Sequence, residues 1–150
     1  MKKNILTFVI IFISLSCNNQ DNNAIESKIE KFCNQNYPCQ FRMTELINVE
    51  WDKVYIFKEQ SSLEFINDKI GFPYPFFVDI ARRIIFVKNN SIVYHEDIYP
   101  SVEGPKNGEL YFILPDNVNY AEFTREAAVF TSERVKVGSI YVYKMSPLMN

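Results

Sequence analysis

The chain predicts an α+β fold: a single antiparallel sheet of about five to six strands, with two N-terminal helices packed on one face. Three observations carry this. Helical periodicity is confined to the first half, at residues 24–32 and 63–70. Short runs rich in β-branched and aromatic residues fill most of the second half. Between two of those runs, Asn89-Asn90 is a two-residue hairpin signature, because Asn tolerates positive φ.

Taken in order, Ile25, Ile29 and Phe32 form one helical stripe among Glu26, Lys28, Glu30 and Lys31, with Asn23 placed to cap it. Residues 41–46 make a weak strand. Residues 51–57, Trp-Asp-Lys-Val-Tyr-Ile-Phe, end apolar on both faces and predict a central strand. Ser61 and Glu64 have capping-box spacing, Leu63, Ile66 and Ile70 continue the helix, and Gly71 ends it. Pairing across Asn89-Asn90 sets Val87 opposite Ile92, Ile85 opposite Tyr94, Ile84 opposite His95, Arg83 opposite Glu96 and Arg82 opposite Asp97. Pro100, Gly104 and Pro105 make 99–107 a loop. Residues 110–114 and 139–144 are strands. Residues 121–131 fit a helix by Phe123, Ala127 and Phe130 and a strand by Ala128-Val129-Phe130-Thr131; a strand over about 127–133 is preferred. No repeat and no second domain is evident, so residues 24–150 form one domain.

Residues 1–16 are a different unit. Met1, Lys2 and Lys3 give a basic head, 5–15 run almost wholly apolar, and 18–23 are abruptly polar. That is the pattern of a secretory signal. The run is too short to span a bilayer, which takes about 20 residues. A packed helix would carry a polar face, whereas Thr7 alone is polar from Ile5 to Ile13. Ile13-Ser14-Leu15-Ser16-Cys17 resembles the lipobox of bacterial lipoproteins. It departs from the strict pattern in having Ser14 three places before the cysteine and Leu15 one place late. The resemblance implies lipid on the Cys17 thiol, cleavage before it, and residues 17–23 as a tether. It implies the lipid bilayer as a partner and the bacterial cell envelope as the address. Asn18, rather than Asp, favours the outer membrane. The alternative is an ordinary secreted protein in which Cys17 is incidental.

Removing the signal leaves 134 residues, enough for a modest core. Lys plus Arg falls to 14 against 18 Asp plus Glu, so the mature charge is about −4. This argues against nucleic acid, which needs a basic face, and against electrostatic adhesion to anionic lipid. With Cys17 acylated, Cys33 and Cys39 are an even pair in an exported chain, which predicts a disulfide across a turn-like loop. Free thiols are the alternative. No neighbouring His or Cys completes a metal site, and no cofactor motif appears.

Chemistry is sparse. His95 is the lone histidine and has no nucleophile placed to use it. Glu50 and Asp52 share a strand face, which suits acid–base work or calcium but far more often marks exposed charges. The segment that stands out is Gly71-Phe72-Pro73-Tyr74-Pro75-Phe76-Phe77. Aromatics stiffened by prolines either fold back to cap the core or, if exposed, form a contact loop through Tyr74, Phe76 and Phe77. The chain therefore reads as a membrane-anchored envelope lipoprotein, not an enzyme but a binding or assembly module. A small envelope enzyme with an unrecognised site is the alternative.

Overall fold

Residues 24–148 are described by a computed structural model; the signal segment, Cys17 and the tether, with Asn23, lie outside the described residues. Strand β3 (Arg82–Lys88) is buried along nearly its whole length, and the architecture follows from that. Its Ile84 and Phe86 face one core while Ile85 and Val87 face another. A strand apolar on both sides needs a layer on each side.

The elements run α1 (Ile25–Cys33), β1 (Cys39–Arg42), α2 (Met43–Leu46), β2 (Lys53–Phe57), α3 (Leu63–Ile70), β3, β4 (Ser91–Ile98), β5 (Leu110–Phe112), β6 (Tyr120–Thr124), β7 (Val129–Val137) and β8 (Ile140–Pro147). They build two four-stranded sheets, ordered β4-β3-β2-β6 and β1-β7-β8-β5. Val54, Ile56, Ile84 and Phe86 of the first meet Phe41, Phe130, Leu110 and Met145 of the second, with Ile25 and Ile29 of α1 joining them. On the outer face of the first sheet, Tyr55, Phe57, Ile85 and Val87 pack against Ile66 and Ile70 of α3 and against Tyr74. Each such side chain contributes about 1.5–3 kcal/mol by leaving water.

The single sheet of five to six strands with both helices on one face is thus overturned. The fold is mostly β, with two sheets and short helices. Two helices cannot cover the apolar surface that β2 and β3 present on both sides, so a second sheet covers one of them. Nor are the strands all antiparallel, since β5 and β8 pair in parallel. Residues 121–131 hold two strands and a turn. Phe123 of β6 and Phe130 of β7 mimic helical spacing because the chain changes sheets between them, leaving their rings edge to face at 5.3 Å. The predicted strand at 41–46 is half strand, half helical turn.

Two termini show local chemistry. The α3 cap is Ser62, one residue later than the capping-box spacing predicts; its Oγ accepts from the Phe65 N–H at 3.2 Å. Gly71 ends α3 with φ 86°, a conformation that favours glycine. Across the loop between α1 and β1, Cys33 and Cys39 are joined as a disulfide with Cα atoms 5.7 Å apart.

Candidate functional site

Val93 decides what β4 presents on each face. From the Asn89-Asn90 turn, where both residues have positive φ, the ladder runs Lys88 with Ser91 and Val87 with Ile92. Then it shifts: Phe86 pairs with Tyr94, leaving Val93 as the extra residue of a bulge. The register predicted beyond Val87 is therefore wrong by one. Ile85 lies opposite His95, Ile84 opposite Glu96, Arg83 opposite Asp97 and Arg82 opposite Ile98. Because side chains alternate, the shift turns every later residue of β4 to the other face. Packing favours it, since Tyr94 meets Phe86 edge-on inside the core at 5.6 Å.

On the outer face, His95 and Asp97 receive the proline-stiffened loop. Tyr74 is 3 % exposed. Its backbone N–H donates to Asn67 Oδ1 at 2.7 Å. Its hydroxyl lies 3.2 Å from His95 Nδ1 and donates to Asp97 Oδ1 at 3.3 Å. With a proton on His95 Nδ1 donated to the Tyr74 oxygen, the Tyr74 hydroxyl both accepts and donates. Arg83 Nε stands 3.5 Å from Asp97 Oδ1, and its guanidinium lies 5.4 Å from the Tyr74 ring and 4.9 Å from the Phe77 ring. Arg83 Nη2 also donates to the Val78 carbonyl. Phe76 closes the cluster by stacking on His95 at 4.1 Å.

Burial dominates the electrostatics here. It pushes the Tyr74 phenol well above its ordinary range, Asp97 carrying it further. It lowers His95, against the pull of Asp97. It raises Asp97, with Arg83 and Tyr74 offsetting only part. These directions suit a clamp of neutral hydrogen-bonding groups around one ion pair.

The clamp divides the predicted contact residues. Tyr74 belongs to the core, Phe77 is half-buried over Arg83, and Phe76 is 47 % exposed. Beyond them Val78 is 47 % and Ile80 61 % exposed. Ile80 also holds φ +62°, which costs a β-branched residue on the order of 1–3 kcal/mol. Sequence reasoning missed Val78, Ile80, Arg83 and Asp97. The available signal was Arg82-Arg83 opening an apolar strand, since arginines there need buried partners.

On the inner face, Glu96 accepts from the Ile25 N–H at 2.9 Å and from the Tyr94 hydroxyl at 2.8 Å. It thereby caps α1, whose own N-cap Ala24 supplies no side-chain bond. Burial pushes its carboxyl up to about 7, the two hydrogen bonds oppose this, and Glu26 adds to it. A cleft of about 900 Å³ opens here, lined among others by Glu26, Glu30, Glu96, Glu109 and Tyr143. Two of its carboxylates are committed within the chain: Glu109 pairs with Arg82, and Glu96 caps α1.

Glu50 and Asp52 do not form a paired site. Glu50 pairs with Lys88, and Asp52 accepts from the Asn89 N–H at 3.0 Å, so both brace the hairpin turn. Among the described residues, no group of three or more His, Cys, Asp or Glu is placed to hold a metal ion. Compared with known protein families, curated proteins and solved structures, the chain matches none.

Proposed function

We propose that this protein is a bacterial envelope lipoprotein, anchored through acylated Cys17, most simply in the outer membrane. Its domain serves as a non-catalytic binding module whose contact surface is the loop from Phe76 to Ile80. One observation carries the second statement. The loop exposes Phe76, Val78 and Ile80 while its base is fixed by Tyr74, Asn67 and the buried Arg83. Apolar side chains on a braced segment lose little freedom on binding, and three of them within five residues are exposed here. The Tyr74-His95-Asp97 cluster supports the same reading, since Phe76 roofs it and its hydrogen bonds serve the loop.

The test is site-specific photocrosslinking in intact cells. A photoreactive residue at Val78 is expected to capture a partner, lipid or protein. The same residue at Val49, 42 % exposed against 47 % for Val78, is not. Equal labelling at both positions, or none at Val78, would remove the loop from the proposal.

A further inference from the structure

We propose that the loop bearing Phe76, Val78 and Ile80 docks on the lipid surface to which Cys17 ties the chain, so that the domain touches the bilayer at two points. This rests on the anchored reading above.

Three observations place loop and anchor together. The Ile25 N–H is held by Glu96, so the chain enters α1 beside the last residues of β4. The neighbours of Glu96 on that strand hold the loop from the other face: His95 stacks on Phe76, and Asp97 accepts from Tyr74. The anchor's entry and the loop's seat are thus adjacent residues of one edge strand. The chain from Cys17 to Ala24 is seven residues long, and at about 3.3–3.6 Å each it reaches about 25 Å at most. An acylated Cys17 therefore keeps this end of the domain within about 25 Å of the membrane.

That proximity selects lipid as the occupant. A short tether gives the bilayer a high effective concentration at the patch, which a freely diffusing protein lacks. The segment leaving β4 adds Tyr99 and Val102 to the exposed apolar side chains at this end. A mature charge of about −4 disfavours attraction to anionic headgroups, leaving shallow apolar insertion as the mode. Asp79, exposed between Val78 and Ile80, limits the depth to the headgroup boundary.

The experiment uses the full acylated protein in phosphatidylcholine–phosphatidylethanolamine vesicles. Phe76→Trp and Val78→Trp report the loop, and Val49→Trp reports the far end of the sheet. Trp51, buried at 1 % exposure, gives a constant background. Some vesicles carry phospholipids brominated near the headgroup, at the depth of about 5–10 Å that interfacial side chains reach. The expected result is co-flotation of every variant, with the added emission quenched at 76 or 78 and not at 49. Co-flotation without quenching at 76 and 78 overturns the lipid contact, leaves the anchor standing, and turns the loop over to a protein partner or a second copy. Quenching at all three positions also overturns it, because contact is then unspecific. Failure to float, with an unmodified N-terminus by mass, overturns the anchor and this inference with it.

Discussion

Arg83 and Asp97 face each other across β3 and β4 with Nε 3.5 Å from Oδ1, their side chains only 1 % and 8 % exposed. The same guanidinium donates to the Val78 carbonyl and lies beneath Phe77 and Tyr74. One buried charge therefore ties the strand pair to the loop. Breaking it by Arg83→Met leaves Asp97 buried and unpaired, which should cost about 3–5 kcal/mol in urea unfolding. The double variant Arg83→Met/Asp97→Leu should recover most of that loss. A single variant as stable as the parent would show that the pair does not hold the loop.

Glu96 gives the protein a pH dependence of known sign. Its carboxyl sits at about 7 in the folded state against an ordinary value of 4.5, because burial disfavours the charge. The folded chain therefore holds a proton that the unfolded chain has released between those values. Stability should fall as pH rises from about 4.5 to 7 and level off above, by at most about 3 kcal/mol. Glu96→Gln should flatten that slope. An unchanged slope in the variant, measured by chemical denaturation at each pH, would place the proton elsewhere.

The Cys33–Cys39 bridge should block thiol labelling at both positions in denatured, unreduced protein. Its closed loop is short, so reduction should cost only about 2 kcal/mol. Quantitative labelling of both cysteines would leave free thiols as the reading.

Deleting Val93 removes the bulge and keeps the observed partners, because Tyr94 then follows Ile92 directly and falls opposite Phe86, with His95 opposite Ile85, Glu96 opposite Ile84 and Asp97 opposite Arg83. The deletion should therefore fold and cost no more than about 1 kcal/mol in urea unfolding. A loss above about 3 kcal/mol would mean that the twist of the bulge is itself needed to seat the loop.

Local signals in this chain were legible and non-local ones were not. Asn89-Asn90 predicts its turn because positive φ is a property of those residues, and Gly71 predicts a helix end for the same reason. The bulge at Val93 could not be read, because it answers to Phe86 and Arg83, which pack from another strand. The second sheet was hidden for a related cause: Cys39–Arg42 finds its partner only in Val129–Ser132, some ninety residues away. The contact loop was half legible. Its aromatic and proline content singles out Tyr74, Phe76 and Phe77, but which of them enters the core depends on His95, Asp97 and Arg83 beneath it.

The central claim is that a lipid on Cys17 holds this domain at a membrane. Mass spectrometry of the mature N-terminus, purified from a bacterial host in detergent, tests it most directly. The account predicts a chain beginning at Cys17 and carrying a diacylglyceryl thioether, absent from Cys17→Ser. A mature chain that begins elsewhere, or begins at Cys17 with an unmodified thiol, would contradict it.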